Sequence, residues 1–179
     1  MKLILIILFI GFFTISNLHS DSIEEPKSYI TTSENGAYFF IMSPAQNDNK
    51  KSKASGKAYQ INNDGSMTLL WKVEGWYAYR VILSDDGKYL LRMGDWPLGC
   101  TISSLDLAVS FYKEGKLLKR YSTADLIMSN SSIRCTSSHY MWLKNFSLDY
   151  NYEFNLETIE HIQFVFDIKT GKILNASER

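Results

Sequence analysis

Histidine and cysteine, two residue types that often act in catalysis or bind metal ions, are scarce in this chain of 179 amino acids, which has three histidines and two cysteines. Metal sites need several such side chains at short spacings, and the sequence contains neither a C-x-x-C pair nor an H-E-x-x-H motif. A G-x-S-x-G elbow, a phosphate-binding P-loop and an EF-hand loop are absent as well. The sequence therefore predicts a protein that is not an enzyme and that uses no cofactor and no metal.

The two histidines beyond residue 20 do not complete a catalytic motif. His139 follows two serines in "SSHYMW", and His161 lies in "IEHIQF". Adjacent serines do not by themselves supply the geometry between nucleophile and base that nucleophilic catalysis requires. An enzyme that uses His139 with a carboxylate or serine brought close by folding is the weakest of three functional hypotheses.

An excess of charge of either sign is also missing. The chain has 19 basic and 19 acidic side chains, and loss of Lys2 with the N-terminal segment leaves 18 basic against 19 acidic. A net charge near −1 gives no broad field that would attract nucleic acid or anionic lipid, so we expect neither as a partner. The lysine-rich segment Gln46–Lys57 is interpreted as a solvated hairpin tip rather than a basic binding patch.

Long apolar runs are limited to one, Leu3–Phe13, which follows the single basic residue Lys2. Polar residues interrupt this run before it reaches the roughly 20 residues that a membrane span needs. The pattern is typical of a signal peptide over residues 1–20, cleaved after Ser20, with a membrane anchor as the alternative. We therefore predict a secreted or periplasmic protein whose single domain, residues 21–179, has no membrane span after cleavage.

The two cysteines are Cys100 and Cys135. In an exported chain, an even number of cysteines favours a disulfide, and two cysteines allow one intramolecular pairing. The bond would close a loop of about 36 residues and stabilise the fold by roughly 4 kcal/mol in the chain-entropy model. Free thiols, or a metal pair completed by His139 or His161, are the alternatives.

A repeated pattern of a polar turn followed by an aromatic and apolar strand organises the rest of the chain. The pattern occurs as "SENGAYFFIM" from Ser33, "SDDGKYLLRM" from Ser84 and, less regularly, "SLDYNYEFNL" from Ser147. Each copy is followed by a hairpin pattern with glycine at its tip, where a positive φ is required. The tips are Asp64-Gly65, Glu114-Gly115 and Thr170-Gly171, and the units span about residues 30–75, 76–123 and 140–176.

These units resemble the blade repeats of β-propellers of the WD40 and TolB type. In those families, an "SPDG-x-Y" turn opens an inner strand and a later glycine hairpin carries the outer strands. The matching residues are Ser33, Gly36 and Tyr38, and then Ser84, Asp86, Gly87 and Tyr89. The third copy departs from the pattern, with Tyr150 where glycine is expected. The chain also resembles small exported bacterial proteins built from such units, a resemblance that implies no activity.

The expected fold is all-β, a mostly antiparallel sheet structure of about three blade-like repeats. Closed propellers take about four blades or more, so three units do not close a ring. Open sheet edges would then be capped or would pair with another protein or a second copy. One short helix is expected over Ser122–Met128, because Ser122 and Asp125 have the spacing of a capping box.

Loop aromatics give the clearest candidate for a ligand site. Trp96 lies between Asp95 and Pro97, a loop signal, and tryptophan can stack on a sugar ring or a peptide. The candidate binding residues are Trp96, Trp76, Tyr77 and Tyr140. Packing of these aromatics in the core is the alternative interpretation.

The first functional hypothesis is therefore an exported, non-enzymatic β-module for protein–protein interaction or envelope structure. A glycan- or peptide-binding module built around Trp96 is the alternative.

Overall fold

Three four-stranded antiparallel sheets account for most of the structure. The computed structural model of the chain describes residues 23–46, 52–94 and 96–178. The predicted signal peptide, residues 1–20, lies outside the described residues, as does much of the lysine-rich tip, residues 47–51.

Each of the three sheets is a meander, in which the order of strands across the sheet is their order along the chain. Sheet I contains β1 (Tyr29–Thr32), β2 (Tyr38–Ser43), β3 (Ser55–Ile61) and β4 (Met67–Glu74). Sheet II contains β5 (Val81–Leu83), β6 (Tyr89–Met93), β7 (Leu107–Lys113) and β8 (Lys116–Ser122). Sheet III contains β11 (Leu143–Leu148), β12 (Glu153–Thr158), β13 (Ile162–Asp167) and β14 (Lys172–Glu178).

Two smaller elements connect sheet II to sheet III. The helix α1 (Thr123–Leu126) is followed by a hairpin of β9 (Arg134–Cys135) and β10 (Tyr140–Met141). The Asp125 carboxylate accepts hydrogen bonds from the Ser122 amide and hydroxyl, each at 2.7 Å, which fixes the start of α1. The predictions of a mostly antiparallel β-fold and of one short helix are confirmed. None of the described helices has the length and apolar character of a membrane span.

The turns that open the second strands of sheets I and II share one geometry. Gly36 and Gly87 have φ of 70° and 68°, and their amides donate to the carbonyls of Ser33 and Ser84 at 3.1 and 2.9 Å. Such φ values favour glycine because it has no Cβ. The repeat seen in the sequence is therefore a structural repeat in these two sheets.

The third copy of this turn has a different register from the one predicted. The residue in the glycine position is Tyr152, with φ of 65°, and its amide donates to the Asp149 carbonyl at 3.2 Å. The prediction placed Tyr150 there, counting from Ser147. That count was wrong because Ser147 is still paired with Asn155 inside the sheet, so the turn begins two residues later.

The outer hairpins repeat in all three sheets as well. In each sheet the last two strands shift register at a β-bulge, which leaves one residue of the outer strand unpaired. The unpaired residue is a leucine every time: Leu70, Leu118 and Leu174. Three supersecondary units of equivalent construction therefore make up the described chain.

The sheets stack in chain order, with sheet II in the middle. Alternate side chains of sheet II point to opposite neighbours, as strand geometry requires. On one face, Leu90 and Tyr112 join a core cluster with Phe40 and Trp71 of sheet I. On the other face, the second core cluster includes Leu91 and Phe111 of sheet II and Phe154, Leu156, Phe164 and Phe166 of sheet III.

Candidate functional site

A groove of about 510 Å³ opens beside the β9–β10 hairpin. Its walls come from the N-terminal segment, the entry to β5, the loop after β6 and the β10 strand with the residues that follow it. The lining residues that the argument uses are Glu24, Tyr79, Arg80, Trp96, His139 and Tyr140, and Met93, Met141 and Leu143 add apolar surface.

Trp96 and His139 form one side of this groove. Their ring centroids lie 3.8 Å apart with an angle of 57° between the planes. The His139 Nδ1 atom is 2.7 Å from the Thr136 hydroxyl oxygen, which fixes the orientation of the imidazole. The sequence signalled Trp96 as a loop aromatic, and the fold brings it against a histidine 43 positions later in the chain.

Backbone bonds and the disulfide hold this side together. Leu98 and His139 form an antiparallel bridge, and the Tyr140 amide donates to the Pro97 carbonyl at 3.2 Å. Cys100 and Cys135 are bonded, with their Cα atoms 5.5 Å apart. The predicted disulfide is confirmed, and it fastens the loop that carries Trp96 to the hairpin that carries His139.

Tyr140 lies under the groove and is 1% exposed. Its hydroxyl donates to Asp106 Oδ2 at 2.8 Å and lies 2.7 Å from the Thr123 hydroxyl. Burial, followed by the hydrogen bond and negative charge of Asp106, raises the pKa of Tyr140 to about 12. The side chain predicted as a ligand contact therefore anchors the β10 strand to α1 and to the loop before β7.

Two charged residues, Arg80 and Glu24, also line the groove. The Arg80 guanidinium lies 5.2 Å from the centroid of the Phe146 ring, and no described carboxylate is within 4.0 Å of it. Glu24 lies on the facing segment, where its carbonyl accepts a hydrogen bond from the Tyr79 hydroxyl. Arg80 and Glu24 were not predicted as site residues from the sequence, because neither belongs to a motif.

Trp76 and Tyr77, the other two predicted binding residues, lie outside the groove. Trp76 packs on Tyr112 with centroids 5.3 Å apart, and the Arg92 guanidinium lies 4.6 Å from its ring centroid. The Tyr77 hydroxyl donates to the Lys27 carbonyl at 2.9 Å. The fold therefore brings together Trp96 and Tyr140 but separates them from Trp76 and Tyr77, which pack against the core between sheets I and II.

The described residues that line the groove include no serine, threonine or cysteine, and the hydroxyl that contacts the His139 imidazole belongs to Thr136. Across the described parts of the chain, no group of three or more histidine, cysteine, aspartate or glutamate side chains is placed to hold a metal ion. An aromatic wall, an apolar floor and one guanidinium are features of small-ligand sites.

The outer faces of the two end sheets, sheet I and sheet III, differ in polarity, and one of them is a second candidate site. Sheet register assigns a polar set of side chains to the face of sheet III that points away from sheet II, called here the polar end face. Its members are Asn145, Ser147, Asn155, Glu157, Gln163, Val165, Asn175 and Ser177. Lys144 Nζ lies 2.7 Å from the buried Glu157 carboxylate at this end of the stack. The polar end face is therefore suited to contact with water.

The corresponding face of sheet I carries an apolar patch, called here the apolar end face. Its members are Ile30, Phe39, Ile41, Tyr59, Ile61, Met67 and Leu69, and the register places Thr32, Ser43, Ser55, Lys57, Lys72 and Glu74 on the same face. The Phe39 and Tyr59 rings stack with centroids 5.0 Å apart and an angle of 10°. Met67 is 65% exposed. Phe39 is buried, yet it belongs to neither core cluster of the described residues.

Glycines at equivalent positions of sheets I and II show which of the two sheets packs on a preceding sheet. A Cβ added to Gly87 would lie 2.4 Å from the Tyr38 ring of the preceding sheet, and one added to Gly115 would lie 2.5 Å from the Lys72 carbonyl oxygen of that sheet. The equivalent positions in sheet I are Gly36 and Gly65, where a Cβ would meet nothing within 4 Å. Within the described part of the chain, sheets II and III each pack on a preceding sheet, whereas no described sheet precedes sheet I.

Comparisons with known proteins add little to this description. No family model matches the chain, and no curated protein matches it. Among solved structures, the crystal structure of Saccharomyces cerevisiae Sqt1 aligns with 89% of this chain at 10% identity and a TM-score of 0.36. The chain spans 53% of that protein. The fold described above rests on the strand pairing alone.

Proposed function

We propose that the protein is an exported, non-enzymatic β-module that binds another protein chain through its apolar end face. The observation that carries the proposal is the contrast between the two ends of the stack. Terminal units of stacked folds carry a polar outer face where they meet water, as sheet III does. An apolar patch rimmed by polar residues on a folded domain is typical of interaction sites. On sheet I, Lys57 and Lys72 lie in the same row as Ile41, and Glu74 lies beyond them near the end of β4.

The resemblance to propeller blades supports the same surface. Each sheet has the strand number and meander order of a blade, and blades pack face to face around a closed ring. A stack of three leaves two faces without a neighbour, and sheet I lacks the contacts that sheets II and III make with a preceding sheet. A partner on the apolar end face would take the place of that missing neighbour.

The faces are better suited to this role than the sheet edges, which the sequence had suggested. Each outer strand is bent by a β-bulge, and bulges protect an edge against pairing with another strand. Lys116 and Lys119 lie on the edge strand β8, and Lys172 lies on β14. Edge lysines oppose strand addition because pairing would desolvate their charges.

Export is part of the proposal, and the disulfide supports it. Disulfides persist in the oxidising compartments outside the cytosol and are rare within it. The Cys100–Cys135 bond is therefore compatible with a secreted or periplasmic location.

A photo-crosslinking experiment tests the interaction. The photoreactive residue p-benzoylphenylalanine would replace Met67 on the apolar end face or, as a control, Leu117 on β8, which is 54% exposed. After irradiation in cells that produce the protein, we expect a covalent protein adduct at position 67 and none at 117. Absence of an adduct at 67, or equal adducts at both positions, would contradict the proposal.

A second function, binding of a glycan or a peptide in the groove, is favoured by the pairing of Trp96 with His139. Indole rings stack on sugar and peptide groups, and Arg80 could pair with a carboxylate of the ligand. The disulfide holds the aromatic wall in place, which lowers the cost of ordering it on binding.

Glycan and peptide arrays with three proteins test this second function. We expect the wild type to bind a defined subset, Trp96→Ala to lose that binding by at least about tenfold, and Trp76→Ala to keep it. Trp76 is the matched control because its indole lies outside the groove. Equal binding by wild type and Trp96→Ala, or no binding by the wild type, would exclude the groove as a site for these ligands.

A further inference from the structure

We propose that sheet II holds a binding site for a tetrahedral oxyanion of the phosphate type. The site is a cavity of about 270 Å³, called here the arginine cavity, and Arg92, Ser110 and Arg120 are its polar lining residues. It shares no residue with the groove or with the apolar end face, so it goes beyond both proposed functions. Aliphatic and aromatic side chains complete the lining: Leu105, Leu107, Tyr112 and Leu117.

The three polar residues lie in one row across sheet II. Arg92 on β6 pairs with Ser110 on β7, and Ser110 pairs with Arg120 on β8. Residues that lie directly opposite each other on neighbouring strands share a face of the sheet. Because neighbouring strands are about 4.8 Å apart, the backbones of the two arginines are about 10 Å apart, with the serine between them. The row therefore places two guanidinium groups on either side of one hydroxyl.

Two polar atoms of this row are buried without a hydrogen-bond partner. Ser110 is 2% exposed, and its hydroxyl makes no hydrogen bond within the described residues. The Nε–H group of Arg92 is also buried and has no acceptor among the same residues. A buried donor that makes no hydrogen bond costs free energy, which an acceptor in the cavity would recover. An oxyanion would offer acceptor oxygens to both groups.

The charge of the arginine cavity is positive. No described carboxylate lies within 4.0 Å of either guanidinium, and none of the described lining residues is acidic. Two acidic residues of adjoining segments are engaged elsewhere. Asp106 accepts the Tyr140 hydroxyl, and Asp125 accepts the amide and hydroxyl of Ser122. An anion in the cavity would therefore meet two cations that have no carboxylate partner in the described structure.

Contacts with sheet II's own surroundings hold Arg92 in place before an anion binds. Its guanidinium lies 4.6 Å from the centroid of the Trp76 ring, and its Nη2 atom donates to the Tyr77 carbonyl at 3.2 Å. These contacts lower the cost of ordering a long side chain on binding. Donors on opposite sides of the row suit a tetrahedral anion, whose oxygens point in several directions. A carboxylate presents two oxygens in one plane, which suits a single guanidinium.

Isothermal titration calorimetry of the purified, disulfide-bonded protein with inorganic phosphate, at constant ionic strength, tests the site. We expect saturable one-to-one binding by the wild type. Arg120→Gln should weaken this binding by at least about tenfold, because a charge-assisted hydrogen bond is lost. Lys119→Gln is the matched control and should bind as the wild type does. It removes the same charge from the neighbouring exposed position of β8, whose side chain points to the opposite face.

Ser110→Ala separates binding from a structural role. The variant removes a hydroxyl that has no partner among the described residues, so without phosphate it should melt at or above the wild-type temperature. Phosphate should raise the melting temperature of the wild type and raise that of Ser110→Ala clearly less. An equal rise in both proteins would show that the hydroxyl does not contact the anion.

Three probes define the ligand. Acetate should bind at least about tenfold more weakly than phosphate, and equal binding would overturn the preference for a tetrahedral anion. Phenyl phosphate distinguishes the sources of the anion. Tighter binding than inorganic phosphate would assign the site to an organic phosphate that also contacts Leu107 and Leu117, and weaker binding would assign it to the free ion. No saturable phosphate binding by the wild type, or equal affinity of the wild type and Arg120→Gln, would overturn the site.

Discussion

Among single residues, Gly36 and Gly87 form a natural pair for separating backbone strain from packing. Both have a left-handed backbone in the same kind of turn, so alanine at either position costs about 1 kcal/mol in backbone energy. They differ only in what surrounds them. A Cβ at Gly87 would strike the ring of Tyr38, and one at Gly36 would meet open space.

We therefore expect Gly87→Ala to lower the free energy of unfolding by clearly more than Gly36→Ala. The excess should be about 1–3 kcal/mol, the usual cost of overpacking. Urea unfolding of the two variants and the wild type measures the difference. Equal losses would mean that Tyr38 moves aside without cost, and that sheets I and II are less tightly packed than the structure shows.

Tyr140 gives a prediction about pH. Its pKa is raised from an ordinary value near 10 to about 12, so the folded state favours the protonated hydroxyl. The contribution of the protonated Tyr140 hydroxyl to the free energy of unfolding is complete below pH 10, and it is lost as the pH rises from 10 towards 12. Tyr140→Phe should cost about 1–2 kcal/mol at pH 8, because Asp106 and Thr123 each lose a hydrogen-bond partner.

Unfolding of wild type and Tyr140→Phe at pH 8 and pH 11 tests this expectation. The difference in unfolding free energy between the two proteins should shrink at the higher pH. Tyr150→Phe is the control, because Tyr150 is exposed and its hydroxyl should contribute little at either pH. A difference that stays constant with pH would show that Tyr140 is not held protonated by the fold.

Among the structural elements, the β9–β10 hairpin depends most on a covalent bond. Its two strands pair through two positions each, which is too little to be stable alone. The Cys100–Cys135 disulfide ties this hairpin to the loop that carries Trp96 across a sequence separation of 35. The crosslink removes entropy from the unfolded chain, and it also fixes one side of the groove.

Reduction should lower the melting temperature, and loss of the bond should cost about 4 kcal/mol in the chain-entropy model. Cys100→Ser, Cys135→Ser and the double variant should melt alike, because each removes the same crosslink. Scanning calorimetry measures the three variants, and alkylation with intact-mass analysis confirms the bond in protein from its own compartment. Two free thiols there would contradict the prediction.

For the molecule as a whole, the two ends of the stack of sheets differ in the polarity of their outer faces. The outer face of sheet III carries amides, hydroxyls and a salt-bridged glutamate, whereas the outer face of sheet I carries an aliphatic and aromatic patch beside Lys57 and Lys72. Neighbouring residues of one strand report on this difference. Phe40 points into the core between sheets I and II, and Phe39 points to the apolar end face.

We expect alanine at these two neighbours to have different effects on folding and on partner binding. Phe40→Ala should destabilise the fold by about 3–5 kcal/mol and leave the cross-linked adduct of the folded protein at position 67 near the wild-type level. Phe39→Ala should cost less stability and weaken that adduct. Thermal melting and photo-crosslinking of both variants give the two readings, and a larger loss of adduct in Phe40→Ala would argue against the interface.

Local patterns in the sequence were enough for the class of fold, the short helix and the disulfide. Glycine at a hairpin tip and a serine–aspartate pair at a helix start act within a few residues, so they can be recognised without the tertiary structure. The disulfide followed because two cysteines allow one pairing. The third turn was misplaced, since no glycine marks it and a tyrosine takes the positive φ there.

The candidate sites required the fold. Trp96 was recognisable as a loop aromatic, but its contact with His139 and the approach of Arg80 arise from chain segments far apart in sequence. Strand alternation predicts that Phe39 and Phe40 point to opposite faces, yet it does not say which face meets another sheet. That depends on how many sheets stack and in which order. Residues that contact each other between sheets are separated by tens of positions in the sequence. A pattern of a few neighbouring residues therefore does not predict these contacts.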